Sequence, residues 1–480
     1  MEFTDKEYYR ALKAQDHRFD GRFFVCVTST RIYCRPVCPA RTSKFENCRF
    51  VRTAAEAEAG GFRACLRCRP ETAPGSPAWQ GTGATVNRAL RLISETATEG
   101  RSLEDLSARL GVGSRHLRRL FKYQLGATPK AIAQTERFAI ARQLLVETDM
   151  PISEVALAAG FGSIRRFNDA TRTAFGVTPT EFRRRRRGNS TAQKGPGIRL
   201  VLGYRPPFAW GPMLGYLETR AIPGVETVAG EAYMRTIRID GAKGTLSIHA
   251  EEPHNRLIAE FNLDRQVVLG AAVRRVRDML DLDASPVDVA EHLSADKMLA
   301  PMVKRAPGLR VPGCWDGFEL AIRAIIGQQI SVKGASTLLG RLVEAFGEEL
   351  DISGNDVPGR LFPAPADIAG HDLRQIGLTK ARATTLAALT EASMSDPDFI
   401  HPALDASDAR ARLLAIPGIG PWTADYIALR ALRDADAFPA ADLGLLKASG
   451  VEDAAALETR AEAWRPWRGY AALHLWNSLK

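Results

Sequence analysis

The chain has 480 residues, of which 45% are hydrophobic and 25% charged. This composition excludes a disordered chain, and the length exceeds the ~250–300 residues at which one core stops growing, so we expect roughly two to four domains. No apolar run reaches the ~18 residues that a membrane helix needs, and the charged start of the chain shows no signal peptide, so we expect a cytoplasmic protein without membrane contact. The net charge of +10 favours a polyanionic partner, of which nucleic acid is the commonest, although charge alone is weak evidence.

Cysteines are concentrated in residues 1–72, which hold six of the seven and show helical periodicity only at 54–61. In a reducing compartment, clustered cysteines indicate metal ligands or nucleophiles rather than disulfides. Two close pairs are separated by 26 residues, and they are Cys34 with Cys38 and Cys65 with Cys68. Four thiolates at this spacing suit tetrahedral Zn²⁺, which predicts one structural Cys₄ zinc site. We expect the other cysteines to be buried or incidental: Cys26, Cys48 and Cys314.

A turn-rich linker at 73–83 precedes several short amphipathic helices in residues 84–187. The pentapeptides LGATP (125–129) and FGVTP (175–179) close two similar segments. Each segment has a short helix, a glycine-bearing turn and a second helix rich in arginine, which is the layout of a helix-turn-helix. The repeat therefore predicts two DNA-reading units, with Phe121, Phe167 and Phe175 in their cores.

A polar linker at 188–197 separates the C-terminal half, which begins with alternating runs at 234–240, 245–250 and 256–261. Period-two alternation predicts a small antiparallel sheet there, followed by helices from about residue 267. Within the helical part, IPGIGPWTADYIALRAL places Gly418 and Gly420 in a hairpin between two helices. Backbone amides at such a turn can bind a DNA phosphate, although a plain interhelical turn explains a lone PGIG equally well.

The stretch DGRFFVCVTSTRIYCRPVCPARTSKFENCRF, with FRACLRCRP after it, closely resembles the N-terminal domain of the Ada adaptive-response proteins. The resemblance implies that zinc-bound Cys34 accepts a methyl group from a DNA methylphosphotriester and so converts a damage sensor into a transcriptional activator, with RNA polymerase as a further partner. It also implies DNA contacts by Thr30, Arg41 and Arg63. A further basic contact of that family falls on Pro39 here, so we expect it to be lost or replaced.

Residues 84–187 resemble the AraC-type DNA-binding domain, most specifically in GFGSIRRFNDATRTAFGVTPTEFRR. Some groove-facing side chains read bases, but about half or more of such contacts reach only phosphate. We expect the arginine run at 183–187 to be a solvated tail that steers DNA non-specifically. The candidate DNA-binding residues of the two second helices are Arg115, His116, Arg119, Ser163, Arg165 and Arg166.

From about residue 198 the chain resembles the bacterial 3-methyladenine DNA glycosylase II family. The matching segments are LGYRPPFAWGPMLGYLETRAIPGVETV, FELAIRAIIGQQISV, the PGIG hairpin, AFPAADLGLLKA and AEAWRPWRGYAALHLW. The resemblance implies that Asp442 is the catalytic carboxylate, that the preceding carboxylate of some relatives is replaced by Ala441, and that Gln329 fills the gap left by the extruded base. Asp is also a preferred helix N-cap, so capping is the alternative role of Asp442, and both roles can coexist.

Aromatic residues of this segment match the base pocket of the same family: Trp422, Tyr426 and Trp476. Electron-rich rings favour a cationic alkylated purine, whereas core packing is the alternative and the one we prefer for Trp464 and Trp467. Bifunctional relatives carry lysine at the position of Trp422, which implies a monofunctional enzyme here.

The expected fold class is a multidomain, mainly α protein with α+β parts. It comprises a Cys₄ zinc domain (1–72), a double helix-turn-helix (84–187), a β-rich subdomain (198–280) and a helix-hairpin-helix glycosylase domain (281–480). The expected function is excision of alkylated purines from double-stranded DNA, coupled to a zinc-thiolate sensor and transcriptional activation near the nucleoid, with Zn²⁺ as the only cofactor. No Pro-Cys-His-Arg motif of an alkylguanine methyltransferase occurs. A purely regulatory protein with an inactive glycosylase fold is the alternative.

Overall fold

The computed structural model describes residues 3–65, 67–68, 70, 73, 84–96, 102–187, 197–351, 357–402, 404 and 406–479. The two predicted linkers, at 73–83 and 188–197, lie outside the described residues except for their end residues 73 and 197. Within the described part, no helix has both the length and the apolar character required to cross a membrane. The expected fold class, mainly helical with two small sheets, is confirmed.

The cysteine-rich segment forms a four-stranded sheet with two helices. Its elements are α1 (Asp5–Lys13), β1 (Phe24–Val27), β2 (Ile32–Cys34), β3 (Cys48–Val51), α2 (Ala54–Ala59) and β4 (Arg63–Ala64). The strand order is β3-β1-β2-β4, with β2 and β4 parallel and the other pairs antiparallel. Helix α2 was predicted, but α1 was not. The Glu7 carboxylate accepts a 2.7 Å hydrogen bond from the Thr4 amide, which closes a capping box at the start of α1.

Seven helices form the double helix-turn-helix: α3 (Ala84–Thr96), α4 (Leu103–Arg109), α5 (Ser114–Leu125), α6 (Pro129–Glu147), α7 (Ile152–Ala158), α8 (Ile164–Phe175) and α9 (Pro179–Arg187). The repeated pentapeptides mark the same junction twice. Gly126 and Gly176 end α5 and α8 with φ of 70° and 71°, a conformation that favours glycine. Each is followed by a capping threonine and then a proline at the first position of the next helix.

The arginine run departs from its prediction as a solvated tail at its first residue, Arg183. It belongs to α9, and the partly buried Arg183 donates a 2.6 Å hydrogen bond to the carbonyl oxygen of Met150. Only Arg184 and Arg185 are described as exposed. The run therefore packs α9 against the loop before α7 at one end and faces solvent further on. The phenylalanines lie in the core as predicted, since Phe121 and Phe167 are 0% exposed and Phe175 packs against Phe138.

The predicted antiparallel sheet is present and has five strands: β5 (Ile198–Gly203), β6 (Glu226–Ala229), β7 (Ala232–Ile239), β8 (Ala242–Glu251) and β9 (Arg256–Leu263). Their order is β5-β9-β8-β7-β6. Helices α10 (Trp210–Thr219) and α11 (Leu269–Met279) contribute apolar residues to the same core as the sheet. Sheet and helices bury their apolar faces together, which leaves the opposite face of α10 available to the helices that follow.

The remaining helices build the C-terminal domain: α12 (Pro286–Leu293), α13 (Leu299–Arg305), α14 (Gly317–Ile326), α15 (Val332–Phe346), α16 (Pro365–Ile368), α17 (Lys380–Ser395), α18 (Ala406–Leu414), α19 (Pro421–Arg430), α20 (Leu443–Ser449), α21 (Ala454–Ala461) and α22 (Arg468–Asn477). The hairpin between α18 and α19 packs α19 against α14, and α20 packs against α22. These two contacts bring the start of α19, the start of α20 and the end of α22 to one cleft.

The two halves of the chain are packed together. The core formed by α6 to α9 is continuous with that of the five-stranded sheet. At the sheet edge, the Val201 amide donates to Glu147 at 2.9 Å, and the Gln143 side chain donates to the Val201 carbonyl at 3.0 Å. Helix α6 thus satisfies backbone groups of edge strand β5 that would otherwise be unpaired.

Candidate active site and metal centre

The four predicted metal ligands converge because two of them end neighbouring parallel strands. Ile32 and Tyr33 of β2 pair with Arg63 and Ala64 of β4. The next residue after each pair of paired residues is a cysteine, so Cys34 and Cys65 lie at the same end of the sheet. The Cys65 amide donates to the Tyr33 carbonyl at 2.9 Å and continues the pairing. The partner cysteines lie on the turns that follow. Sequence spacing predicted the four ligands, and the strand pairing explains their convergence.

The thiol sulfurs of Cys34, Cys38, Cys65 and Cys68 all lie within 4.8 Å of one another, and those of Cys38 and Cys65 are 3.9 Å apart. Zn–S bonds of about 2.3 Å in a tetrahedron require sulfurs about 3.8 Å apart, so the cluster fits zinc. Cys34 is the most exposed of the four, at 9% against 6–8% for the others. The four exposures are nearly equal, so burial does not single out one sulfur of the cluster.

The turn after Cys34 is held from both sides. The Arg35 amide donates to the sulfur of Cys68 at 3.3 Å, and its guanidinium donates to the carbonyl of Cys68 at 3.1 Å. The same guanidinium pairs with Asp20, which is only 2% exposed. An amide aimed at a thiolate stabilises its charge, so these contacts favour a metal-bound sulfur over a protonated one.

The residues predicted to contact DNA around this cluster are all exposed: Thr30, Arg41 and Arg63. Thr30 lies in the turn before β2 and Arg63 lies on β4, opposite β2. Of the other cysteines, Cys26 is fully buried, and burial raises its pKa to about 12. Cys314 lines the cleft of the C-terminal half, where burial likewise raises its pKa to about 12. Cys48 is half-buried and donates to the Lys44 carbonyl.

The helix-turn-helix candidates lie on α5 and α8, the second helix of each unit, as predicted. All are exposed: Arg115, His116, Arg119, Ser163, Arg165 and Arg166. The guanidinium of Arg119 lies 3.2 Å from Nδ1 of His116. The Ser163 hydroxyl accepts from the Arg166 amide at 3.2 Å and caps α8, so it orients the first turn of this helix.

Asp442 caps a helix and also lines a cleft. Its Oδ1 accepts from the Leu445 amide at 3.0 Å, and thereby caps α20. Oδ1 also accepts from the indole Nε1 of Trp476, and Oδ2 accepts from that of Trp422, both at 2.8 Å. The carboxylate lines a cleft of about 450 Å³ together with both indoles. Three N–H donors therefore fix the direction of an anion at the cleft wall.

The hairpin before α19 requires glycine at position 418. Gly418 has φ of +91°, and a Cβ there would lie 2.1 Å from the Thr385 hydroxyl. Around Gly420, the cap of α19, a Cβ would meet nothing within 4 Å, so this side of the turn is open. An open backbone at the start of a helix is where a DNA phosphate can approach the amides.

Behind Trp422 the cleft has a polar floor that the sequence did not reveal. Tyr426 stacks on Trp422 with a centroid distance of 5.4 Å and an interplanar angle of 14°. Its hydroxyl lies 3.2 Å from that of Tyr216, which comes from α10. The buried Arg430 donates to both hydroxyls, at 2.7 Å for Tyr426.

Burial and the nearby guanidiniums shift the pKa values of these phenols in opposite directions. Burial opposes ionisation of Tyr216, but Arg430 and Arg220 outweigh it and lower the pKa of Tyr216 to about 8. The charged carbons of Arg220 and Arg430 lie 4.2 and 4.6 Å from the centre of the Tyr216 ring. For Tyr426 burial dominates and raises the pKa to about 12. Both tyrosines are therefore protonated at neutral pH.

Three family models match successive parts of the chain: the metal binding domain of Ada at residues 7–71, a helix-turn-helix domain at 106–185 and the AlkA N-terminal domain at 199–316. A probable bifunctional transcriptional activator/DNA repair enzyme AlkA from Mycobacterium tuberculosis is 43% identical over 98% of this chain and 96% of its own length. The chain belongs to this family of AlkA/Ada-type bifunctional proteins.

Relatives of either half are also found. A DNA-3-methyladenine glycosylase 2 from Escherichia coli is 33% identical over 58% of this AlkA-type chain and 96% of its own length. The bifunctional transcriptional activator/DNA repair enzyme Ada of Escherichia coli is 35% identical over 38% of the chain and 49% of its own length. The solved 3-methyladenine DNA-glycosylase from Archaeoglobus fulgidus has a TM-score of 0.51 at 22% identity, covers 57% of this chain and 96% of its own, and supports the fold of the C-terminal half.

The loop at 327–331 of this AlkA-type protein, between α14 and α15, presents Gln329 to solvent with φ of +55°. Its neighbour Gln328, which the sequence did not single out, anchors the loop to the hairpin. The Gln328 amide group donates to the Gly418 carbonyl at 3.2 Å and to the Thr423 hydroxyl at 2.9 Å. Arg382 donates to the carbonyl of Gln328. These contacts fix the loop that carries Gln329 to the glycine hairpin.

The other residues missed by sequence reasoning are Tyr216 and Arg430. Tyr216 lies in MLGYLET, a segment quoted for its resemblance to the β-rich domain and not for any chemistry. Arg430 carried a signal, because it follows Tyr426 by one helical turn and lies on a buried helix. A charged residue at such a position requires a partner. Trp464 is 1% exposed and Trp467 packs against His292, which confirms their predicted core positions.

Proposed function

We propose that this protein removes alkylated purines from double-stranded DNA by hydrolysing the N-glycosidic bond. The observation that carries the proposal is the anchored carboxylate of Asp442, bound by two indole N–H groups at the wall of an aromatic cleft. The relatives named as 3-methyladenine glycosylases and the AlkA N-terminal domain support the same function for this half.

The chemistry needs one fixed anion and little else. An N-alkylated purine is already cationic, so it leaves without strong protonation. Positive charge then develops on the sugar, and the Asp442 carboxylate stabilises it while water attacks the anomeric carbon. The N–H donors of Trp422, Trp476 and Leu445 keep both carboxylate oxygens in place, so little reorganisation is needed when the charge appears.

The aromatic wall gives selectivity for cations. The indole rings of Trp422 and Trp476 can stack on an extruded, electron-poor purine, at about 0.5–2 kcal/mol for each contact. We assign Gln329 to the gap that the extruded base leaves, and the amides of Gly418 and Gly420 to the DNA backbone. Among the described residues that line the cleft, none is a lysine, which supports a monofunctional hydrolase that leaves an abasic site.

The test uses methylated duplex DNA treated with protein and then with hot alkali, which cuts abasic sites. The wild-type protein produces strand breaks only after the alkali step, and Asp442→Asn produces about 10²–10³-fold fewer, because the sugar cation loses its counter-charge. Breaks without alkali would contradict the monofunctional assignment. No breaks with either protein would favour the alternative, a pure regulator whose glycosylase fold is inactive.

For the N-terminal half we propose a methylphosphotriester sensor in which Cys34, Cys38, Cys65 and Cys68 hold zinc. When bound, zinc would keep these sulfurs deprotonated at neutral pH. The Cys34 sulfur attacks the methyl carbon of the triester, a carbon–sulfur bond forms, the carbon–oxygen bond breaks and the phosphodiester leaves as an anion. The match to the metal binding domain of Ada at residues 7–71 supports this choice of nucleophile. Thr30, Arg41 and Arg63 would hold the phosphate.

Mass spectrometry tests the sensor after incubation with methylated DNA. We expect one added methyl group, on the peptide that contains Cys34, and zinc in the purified protein. A methyl group on Cys38, Cys65 or Cys68 instead, or on none of them, contradicts the assignment.

We infer a division into four parts: 1–72 as the sensor, 84–187 as the promoter-binding unit, and 198–280 and 281–480 as the two parts of the glycosylase. Methylation reduces negative charge beside the DNA-facing surface, so the modified protein should bind its promoter more tightly and activate transcription, with RNA polymerase as the partner. Arg115, Arg119, Arg165 and Arg166 are the side chains proposed to reach the promoter.

A further inference from the structure

The cleft floor carries a hydrogen-bond donor that the excision mechanism does not use. Arg430 donates to the hydroxyl oxygens of both Tyr216 and Tyr426, and those two oxygens lie 3.2 Å apart. One phenolic proton therefore bridges the two oxygens. The second phenolic proton remains available to a hydrogen-bond acceptor bound in the cleft that both tyrosines line.

The floor and the wall of the cleft differ in charge. The wall presents the carboxylate of Asp442 and two indole rings, which suit a cation. At the floor, Arg220 and Arg430 already lie over the ring of Tyr216, so this ring does not offer its face to a cationic base. The floor instead places two guanidiniums beside the phenolic hydroxyls. It complements a hydrogen-bond acceptor such as a carbonyl oxygen.

The geometry points to the Tyr216–Tyr426–Arg430 cluster as a specificity device that admits neutral purines carrying a carbonyl acceptor. This inference rests on the proposed glycosylase function. In this proposal a base that stacks on an indole of the cleft wall turns its carbonyl edge toward the hydroxyl pair, which lines the same cleft. The hydrogen bond from the cluster replaces the attraction to the indoles that a neutral base lacks. The two tyrosines come from α10 and α19, so the device forms only when the β-rich part and the hairpin part pack together.

The experiment compares three single lesions in one duplex sequence under single-turnover conditions at pH 7. 3-Methyladenine is cationic. Hypoxanthine is neutral and has a carbonyl oxygen, and unsubstituted purine is neutral and has none. The proteins are the full-length wild type, the double variant Tyr216→Phe/Tyr426→Phe, which keeps both rings, and Tyr204→Phe. Tyr204 is a control because it is buried in the same β-rich part but does not line the cleft.

We expect the wild-type rate ratio of hypoxanthine to purine to fall about tenfold in the double variant, the usual effect of one hydrogen bond to a neutral acceptor. Because the same two bases leave in both proteins, their different leaving abilities cancel in this comparison. The Tyr204→Phe ratio should match the wild type. Release of 3-methyladenine by the double variant should fall much less, which also shows that the variant is folded.

A hypoxanthine-to-purine ratio that is the same in the double variant and the wild type overturns the inference. So does a wild-type protein that releases 3-methyladenine but no hypoxanthine, an outcome that leaves the proposed function intact. Release of none of the three bases contradicts the proposed function itself. If the double variant does not fold, inhibition of wild-type 3-methyladenine release by the free bases decides. Hypoxanthine should inhibit at about tenfold lower concentration than purine, and equal inhibition overturns the inference.

Discussion

At the scale of single residues, the Asp442 carboxylate depends on side chains that are distant in the sequence. Trp422 precedes it by twenty residues and Trp476 follows it by thirty-four, yet each indole N–H reaches a different oxygen at 2.8 Å. Hydrogen bonds to a charged group contribute about 1.5–3 kcal/mol each. The indoles therefore serve two purposes, since their faces can stack on a base while their N–H groups position the anion.

Trp422→Phe separates these two purposes, because phenylalanine keeps an aromatic face but has no N–H. We expect the single-turnover rate of 3-methyladenine release to fall about tenfold or more, since one carboxylate oxygen loses its donor. Binding to duplex DNA should change little. A rate equal to that of the wild type would show that the hydrogen bond does not position the carboxylate for the reaction.

His474 lies on α22, two residues before Trp476, and supplies a pH-dependent contribution to stability. It is 5% exposed, and burial lowers its pKa to about 4. An unfolded histidine has a pKa of about 6.5, so between about pH 6.5 and pH 4 the unfolded state binds the extra proton. The contribution of His474 to the free energy of unfolding is therefore fully present above pH 6.5. It falls by up to about 3 kcal/mol as the pH decreases to 4.

His474→Gln should remove this part of the acid sensitivity. Denaturant unfolding followed at pH 7, 6, 5 and 4 measures it, and the wild-type free energy of unfolding should decline more steeply than that of the variant. Parallel declines in the two proteins would contradict the assignment of this histidine.

At the scale of elements, the sequence predicted what local signals determine. The helix-turn-helix repeat was predicted because a glycine with positive φ, a capping threonine and a proline recur at both junctions. Three strands of the five-stranded sheet were predicted from alternation alone. Helix α1 was missed because it is short and five of its nine residues are charged, although it begins with a capping box and buries Ala11 and Leu12. Arg183 was misjudged because its acceptor, the Met150 carbonyl, lies before α7.

The loop at 327–331 is an element whose role can be measured. Gln329 is exposed at its tip, while Gln328 anchors it to the hairpin that carries Gly418. If Gln329 occupies the gap left by an extruded base, Gln329→Ala should slow excision about tenfold from a fully paired duplex. From a lesion opposite an abasic site, which needs little help to leave the helix, the loss should be smaller.

The comparison of the two duplexes decides the role of Gln329. Equal losses from both would contradict a role in base extrusion. Gln329→Asn is the matched control, since it shortens the side chain by one methylene but keeps the amide, and it should lose less activity than the alanine variant.

At the scale of the whole molecule, the packing of its parts could not be predicted from local patterns. The core shared by α6 to α9 and the five-stranded sheet, and the contacts of Gln143 and Glu147 with Val201, join segments on either side of the second linker. The Tyr216–Tyr426–Arg430 cluster is similar, because two of its members are separated by more than two hundred residues. Such contacts depend on tertiary packing, and residue types alone do not specify them.

Metal loss should affect one part of the molecule. The four cysteines belong to the core of the small N-terminal sheet, where they pack with Leu12 and Val25. We therefore expect the variant Cys65→Ser to lose zinc and to become protease-sensitive within residues 3–73. Cys48→Ser, a cysteine outside the cluster, should keep both zinc and protease resistance. Excision of 3-methyladenine should persist in both variants, because no residue of this part lines the described cleft. Loss of excision in Cys65→Ser alone would contradict this independence.

The central claim is that Asp442 stabilises positive charge on the sugar, and the most direct measurement of it is affinity for a charged sugar mimic. Duplex DNA with a cationic pyrrolidine in place of one deoxyribose is compared with the same duplex carrying an uncharged tetrahydrofuran. The account predicts that the wild-type protein binds the cationic duplex at least about tenfold more tightly, and that Asp442→Asn loses this preference while it binds the uncharged duplex as before. The same preference in both proteins would contradict the claim.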